Sequence, residues 1–320
     1  MHTKGGLRIL VVGAGATGGY FGGRLAVAGR DVTFLVRPDR AAMLQKEGLQ
    51  ILSSQGNVRL HPQLVIASEL EGGYDVILLT IKTYALTAAM DDFASAVAEG
   101  TVLLPVLNGM RHMELLIRRF GEHHVLGGVA IISNMLDERG RIVQLNALHE
   151  LAYGELDGRQ SARVRTLDYT FQRAGFDARS SANIVQAMWD KWVFVASVGA
   201  ITCLLRGSIG SIEAVSGGSD LTLAMLAECS AVAKASGHPP SPEALSRATT
   251  TLTAKGSSLT SSLYRDLQLG HEIEVEEIIG DMVRRGRGFG LEIPLLAAAY
   301  AQLSIYSVAR SGSALVVEVQ

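Results

Sequence analysis

The sequence predicts an α/β protein in two parts, a helix-flanked, mostly parallel sheet over residues 1–182 and an all-helical part over residues 183–320. Three observations carry this reading. Short apolar runs bounded by turn residues recur through the first part, as strands buried on both faces require. They alternate with runs of helical length, the pattern of βαβ units. From Asn183 onward the strand-like runs largely vanish and long helical ones take over. At 320 residues the chain is also too long for one ordinary core and fits two domains.

Taken in order, Arg8-Ile9-Leu10-Val11-Val12 reads as a first buried strand and runs straight into Gly13-Ala14-Gly15-Ala16-Thr17-Gly18. A small-residue helix over 16–28 follows, closed by Gly29. A strand, Gly-x-Gly-x-x-Gly and a helix in succession describe a Rossmann-type dinucleotide cradle. Gly13 makes the tight turn and Gly15 has no Cβ to block a pyrophosphate. Gly18 lets the helix close on the sheet, and the free N–H groups at its start, those of Ala16 and Thr17 included, face the anion. A glycine-rich turn with no ligand is the alternative, and the flanking strand and helix argue against it.

A second strand over 31–36 ends at Arg37-Pro38-Asp39-Arg40, and Arg37 lies nineteen residues after Gly18. NAD-binding versions place an acid near here, whereas an arginine suits the 2′-phosphate of NADP, so the expected cofactor is NADPH/NADP+, with Arg40 as a helper to Arg37. Short strands are expected at 49–52 and 58–60, and a clear parallel strand at 74–80 ends in Ile81-Lys82-Thr83. A helix over 84–98 leads to a strand over 101–107 that ends in Asn108-Gly109-Met110. Lys82 and Asn108 therefore fall at carboxyl ends of strands, on the edge where open α/β sheets hold ligands. A helix over 113–120, strands at 125–133, 142–145 and 150–153 with antiparallel members, a helix over 161–174 and a strand at 176–179 complete the first part. The second part reads as helices at 183–205, 221–236, 242–254, 272–285 and 295–308, with a polar, Ser-rich stretch up to Leu269; the last dozen residues carry no readable pattern. Ser241 before Pro242 is a capped helix start.

Composition excludes several classes of function. Residues are 48% hydrophobic and 19% charged with a net charge of −2, so a nucleic-acid surface is not expected. Cys203 and Cys229 lie far apart in apolar surroundings, as buried thiols of a reducing compartment do. His123 and His124 have no metal-ligand spacing around them and read as surface residues. Residues 1–6 lack the apolar core of a signal peptide, and the apolar run 192–205, bracketed by Lys191 and Arg206, is too short to span a bilayer. A cytoplasmic protein without membrane contact is expected.

Hydride chemistry needs a proton donor for the substrate oxygen, and the first part offers no obvious one. Lys191, within Met188-Trp189-Asp190-Lys191-Trp192-Val193-Phe194, is a candidate: loss of hydration among aromatics makes a lysine a better acid. A snorkelling lysine paired with a carboxylate is the equal alternative. The acids Glu272, Glu274, Glu276 and Glu277 read mostly as favourable charges in a first helical turn. Preceded by Ser257-Ser258-Leu259-Thr260-Ser261-Ser262, they also offer groups that a 2-oxo acid could use.

With these residues in place the chain resembles the ketopantoate reductases (2-dehydropantoate 2-reductases) over nearly its whole length. The likeness runs through Gly13 to Gly18, Arg37, Thr80-Ile81-Lys82, Asn108-Gly109-Met110, Trp189-Asp190-Lys191, Ser261-Ser262, Asp266, Glu274, Gly280 and Gly290-Leu291-Glu292-Ile293-Pro294. It implies NADPH-dependent reduction of a 2-oxo acid to a 2-hydroxy acid, as in pantothenate biosynthesis. By position it implies Lys191 as proton donor, Glu274 as the active-site glutamate, Ser262 and Thr202 as substrate contacts, Asn108 at nicotinamide and substrate, and Arg37, Lys82 and Glu274 beside the cofactor. One departure stands out. Where family members carry asparagines four and eight residues after the lysine, this chain has Val195 and Gly199. Three alternatives follow: a paralogue for a less polar 2-oxo acid, a non-catalytic NADPH-binding module, and a dehydrogenase of the same plan acting on phosphorylated substrates, which calls for extra basic residues. An apolar helical domain also makes a homodimer plausible.

Overall fold

The structure is a computed structural model and describes residues 6–312. The chain forms two compact units. The first runs to Leu107 and resumes over His112–Val185; the second holds Asn108–Arg111 and the chain from Gln186 onward. Against the expected boundary between 182 and 183, the division falls inside a helix, and a four-residue segment from a strand end belongs with the helical unit.

The first unit contains β1 (Arg8–Val12), α1 (Ala16–Val27), β2 (Asp31–Leu35), α2 (Pro38–Glu47), β3 (Leu49–Leu52), β4 (Val58–Leu60) and β5 (Gln63–Val65). It continues with β6 (Val76–Leu79), α3 (Leu86–Phe93), β7 (Val102–Pro105), α4 (Arg111–Phe120), β8 (Gly127–Leu136), β9 (Ile142–Gly154), α5 (Ala162–Phe171) and β10 (Asp177–Ser180). One sheet has the order β5-β2-β1-β6-β7, parallel throughout. The order reverses at β1, between β2 and β6, which is where open α/β sheets leave a crevice for ligands. A second, mixed sheet has the order β10-β9-β3-β4 with β8 paired antiparallel to β9.

α1 is packed on both sides, and its sequence shows why. A Cβ on Gly22 would lie 2.7 Å from the Phe34 ring and 2.9 Å from Val11 Cγ2, in the parallel sheet. One on Gly23 would lie 2.9 Å from Leu49 and 3.0 Å from Ile51, in the mixed sheet. Glycine weakens a helix interior by about 1 kcal/mol, and here it is what lets one helix fit between two sheets.

Several elements differ from the sequence reading. The edge strand β5 and the helix α2 were not expected, because β5 has only three residues, none of them fully buried, and α2 buries only Ala41 and Leu44. β9 is one strand of 13 residues rather than two, its middle exposed where the register with β8 shifts between Ile132 and Asn134. His124 is buried, its Nδ1 2.8 Å from the Thr101 carbonyl, so only His123 lies at the surface.

The second unit is helical: α6 (Ile184–Leu205), α7 (Ile209–Glu213), α8 (Gly218–Ala235), α9 (Pro242–Leu252), α10 (Ser262–Gln268), a π turn (Glu276–Gly280), α11 (Asp281–Gly288) and α12 (Pro294–Arg310). α10 occupies the stretch expected to be irregular, and the helix expected at 272–285 is instead the π turn followed by α11. α6, at 22 residues, is long and apolar enough to cross a membrane, yet 67% of that span is buried inside the protein, as in a core helix. It carries Cys203, which like Cys229 of α8 is buried and free. Glu228 of α8 caps α12 by accepting from the N–H groups of Leu295 (3.0 Å) and Leu296 (2.8 Å), groups left unpaired by a helix start at proline.

The fit of α1 is testable. Gly22→Ala should destabilise the protein by about 1–3 kcal/mol through overpacking against Phe34 and Val11. Gly100→Ala, whose Cβ would meet nothing within 4 Å, should leave the denaturant midpoint unmoved.

Candidate active site

Gly13 leaves β1 with φ +95, and a Cβ there would press on Ile81 at 2.9 Å. At Gly18 a Cβ would lie 2.2 Å from the Gly13 carbonyl oxygen and 2.1 Å from Thr80 Oγ1, so α1 can close on the loop only with glycine. Gly15 is the opposite case, since a Cβ there would meet nothing within 4 Å. The loop is open on that side. No side chain caps α1 and no acid lies in its first turn, so the N–H groups of Ala16, Thr17 and Gly18 are left for an anion. These residues fit a dinucleotide pyrophosphate. Arg37 follows β2 as the exposed residue before α2, and Lys82, half-buried, follows β6. Arg40, expected beside Arg37, points elsewhere: its Nη2 and Nε donate to the Ala14 carbonyl at 2.9 and 3.2 Å.

In the helical unit the site is built around the π turn. Lys191 of α6 is half-buried and is flanked along the helix by the buried Trp189 and Trp192. Its neighbour Asp190 is occupied, accepting from Ser241 N (3.1 Å) and Oγ (2.8 Å), so the charge that acts on Lys191 is that of Glu274. Burial pushes the Lys191 ammonium down to about 8, opposed by the negative charge of Glu274, which is itself buried just before the π turn. The Trp192 indole N–H donates to the Ile278 carbonyl at 3.0 Å and ties α6 to that turn.

The four acids read together in the sequence have four different surroundings. Glu272 is exposed and Glu274 buried. Glu276 accepts from Tyr300 Oη and Arg284 Nη1, both at 2.8 Å. Glu277 is half-buried, its carboxyl raised by burial and by the charges of Glu274 and Glu276, with Arg111 opposing. A π turn adds a residue to a helical turn and often marks a functional position. Here it sends consecutive carboxylates in different directions.

Asn108 joins this group through its neighbour. Gly109 has φ +77, and a Cβ there would lie 2.4 Å from the Glu277 carbonyl oxygen, so the Asn108–Arg111 segment can rest on the π turn only with glycine at 109. Ser262 opens α10 with a half-buried side chain, while Ser261 is the cap, accepting from Tyr264 N at 2.9 Å. Thr202 corrects an expectation. It is fully buried and its hydroxyl bonds to the Val198 carbonyl and to Ser261 Oγ (2.9 Å), so it supports the start of α10 and is not exposed to a substrate. The space beside Gly199 is bordered by Leu263 Cδ2 at 3.5 Å and Ile279 Cδ1 at 3.8 Å, and Val195 is half-buried one turn from Lys191. Among the described residues no cluster of three His, Cys, Asp or Glu side chains is arranged to hold a metal. Sequence reasoning missed the Trp192 bond to Ile278, the Asn134 bond to the Ala16 carbonyl (2.7 Å) and the inward setting of Glu277; only Glu277, in the acidic run, left any trace.

A parallel sheet with an open glycine cradle, joined in one chain to a desolvated lysine beside a buried carboxylate, is suited to redox chemistry, and the protein is an oxidoreductase of the nicotinamide-dinucleotide class. The family profile "Ketopantoate reductase PanE/ApbA" matches residues 9–158, and "Ketopantoate reductase PanE/ApbA C terminal" matches residues 183–307. The chain belongs to the ketopantoate reductase family. It is 35% identical over 300 residues to the uncharacterized oxidoreductase YkpB of Bacillus subtilis (strain 168), covering 94% of this chain and 99% of that protein. The crystal structure of 2-dehydropantoate 2-reductase from Geobacter metallireducens GS-15 superposes with a TM-score of 0.85 at 29% identity, covering 93% of this chain and 99% of the other. A D-mandelate dehydrogenase solved with NADH and anilino(oxo)acetate has the same fold, with a TM-score of 0.86 at 20% identity, covering 95% of this chain and all of the other.

With Lys191 as the proton donor, its surroundings would set the pH dependence. A donor must be protonated, so the rate constant for carbonyl reduction should hold steady below pH 8 and fall about tenfold per unit above it. The reverse oxidation should rise over the same window. Because the folded chain holds this proton less tightly than the unfolded one, stability should climb between about pH 8 and 10.5. In Lys191→Ala both the inflection and this gain should disappear, with turnover down about 10²-fold or more; pH–rate profiles and denaturation at each pH read the two effects.

Proposed function

We propose that the protein catalyses NADPH-dependent reduction of a 2-oxo acid to a 2-hydroxy acid, with 2-dehydropantoate going to pantoate as the first assignment. The single observation that carries this reading is the Lys191–Glu274 pair, a lysine brought down to about 8 by burial and held charged by a buried carboxylate. Such a group is protonated at neutral pH and still a competent acid. When bound, the nicotinamide supplies the hydride to C2 of the substrate. Lys191 polarises the C2 carbonyl and donates the proton its oxygen takes up. Glu274 keeps the ammonium charged and oriented, and Ser262 and Asn108 position the substrate. Gly13, Gly15, Ala16, Thr17 and Gly18 bind the dinucleotide, Lys82 and Asn108 support it, and Arg37, exposed after β2, pairs with the 2′-phosphate.

A second reading, reduction of a less polar 2-oxo acid, is favoured by one observation. Val195 and Gly199 put a branched aliphatic side chain and an apolar border of Leu263 and Ile279 where amides would otherwise stand. A site lacking those amides discriminates less strongly for a hydroxylated substrate. The D-mandelate dehydrogenase neighbour supports room for such a substrate within this fold. A place in pantothenate biosynthesis goes with the first reading only. Cytoplasmic residence, where NADPH is abundant and the free thiols stay reduced, and a homodimeric state complete the proposal.

Steady-state kcat/KM for 2-dehydropantoate and for branched and aromatic 2-oxo acids, each with NADPH and NADH, tests these readings. Preference for 2-dehydropantoate upholds the first and a preference of about tenfold or more for an unhydroxylated acid upholds the second. Cofactor binding with no turnover of any 2-oxo acid leaves a non-catalytic binding module. The NADPH preference should fall sharply in Arg37→Met.

A further inference from the structure

The carbonyls of the glycine loop are accounted for one by one. The Val12 oxygen accepts from Thr80 N (3.2 Å) and Oγ1 (2.9 Å), and the Gly13 oxygen from the same hydroxyl at 3.1 Å. The Gly15 oxygen accepts from Gly19 N at 2.9 Å. The other two are held by side chains from distant elements. Arg40 of α2 takes the Ala14 oxygen with Nη2 (2.9 Å) and Nε (3.2 Å), and Asn134 of β8 takes the Ala16 oxygen at 2.7 Å. Arg40 also reaches the Gly140 carbonyl, in the turn between β8 and β9, at 3.2 Å, and its third nitrogen lies 3.4 Å from Met43 Sδ. That turn comes so close that a Cβ on Gly140, which has φ +69, would lie 2.1 Å from Met43 Cε and 2.7 Å from Arg40 Nη1.

A peptide unit that rotates exchanges its N–H for its C=O, and a carbonyl turned toward a pyrophosphate repels it. Holding every carbonyl from 12 to 16 outward keeps the N–H groups on the open side before any ligand arrives. We propose that Arg40 and Asn134 are positioning residues for the dinucleotide, a clamp by which α2 and the β8–β9 hairpin fix the glycine loop, and that Arg40 acts on the loop and not on the 2′-phosphate. The proposal rests on the cofactor reading above. All three guanidinium nitrogens of Arg40 are engaged within the protein, whereas Arg37 is exposed at the strand end. Arg40 therefore serves both dinucleotides alike, and Arg37 alone tells them apart.

The test is direct binding of NADPH and of NADH to the full chain, followed by cofactor fluorescence, for wild type, Arg40→Met, Asn134→Ala and Arg37→Met. Arg40→Met should weaken both dinucleotides about tenfold, the loss expected for a charge-assisted bond, with their affinity ratio held within about twofold. Asn134→Ala should weaken both to a smaller degree, and Arg37→Met should weaken NADPH alone. Selective loss of NADPH in Arg40→Met would make Arg40 a phosphate ligand and overturn the clamp, and so would unchanged affinities in both clamp variants. Should Arg40→Met fail to fold, Arg40→Lys decides: it keeps the charge but cannot bridge the Ala14 and Gly140 carbonyls, so full retention of both affinities overturns the proposal and a parallel loss upholds it. Wild type that binds neither dinucleotide refutes the cofactor reading itself, a result distinct from any of these.

Discussion

The constraint that organises the helical unit is the removal of water from one ammonium group. Burial drives Lys191 toward neutrality, and a single buried carboxylate, that of Glu274, draws it back. Neither effect alone yields a useful acid. A solvated lysine gives up its proton too reluctantly, and a desolvated one without a counter-charge has already lost it. The balance depends on where Glu274 sits, hence on the turn that follows it, on the Trp192 bond to Ile278 that holds α6 there, and on the glycine at 109 that lets Asn108 approach the same turn.

The π turn explains how one short acidic run serves several purposes. In a regular α-helix residues 274, 276 and 277 would fall at fixed angles of 100° per residue. Glu274, just before the turn, acts on Lys191, while within the turn Glu276 is taken up by Tyr300 and Arg284 and Glu277 lies near Arg111. Keeping Glu276 bonded elsewhere also limits the negative charge acting on Lys191, since a second carboxylate at close range would bind the proton more tightly and make a weaker acid.

Much of this was legible in the residues, and the boundary of legibility has a physical form. Gly13 and Gly18, between a strand and a helix, could be read because glycine is required there by the backbone itself, Gly13 through its φ of +95 and Gly18 because a Cβ would overlap the Gly13 carbonyl oxygen. Lys191 could be singled out because a charge within an apolar helix is a local anomaly. The π turn could not be read, since a single inserted residue leaves hydrophobic spacing almost unchanged and 272–285 looks like any acidic helix start. Thr202 was misplaced because it shares a helical face with Lys191 and looks available by spacing; what occupies its hydroxyl is Ser261, fifty-nine residues away. The partners of Arg40 could not be read for a similar reason. Proximity to Arg37 is visible in the sequence, but the Ala14 and Gly140 carbonyls that engage it are 26 and 100 residues distant.

The two halves of the chemistry are prepared in different ways, and the difference bears on what can vary. In the sheet unit the groups proposed to meet a ligand are backbone N–H donors, whose precision would come from glycine geometry and from side chains that hold carbonyls aside. In the helical unit the acting groups are side chains, and their reactivity comes from burial and charge. Residues 195 and 199 belong to neither mechanism: Val195 carries no charge or polar group toward Lys191, and Gly199 is bordered by Leu263 and Ile279. Exchange of asparagine for valine and glycine at these positions therefore leaves the lysine's acidity and the loop's donors intact while changing the polarity beside them. The residues that tune Lys191, Glu274 above all, and those that set the polarity one and two turns along α6 are therefore different sets, and the second can change without altering the first.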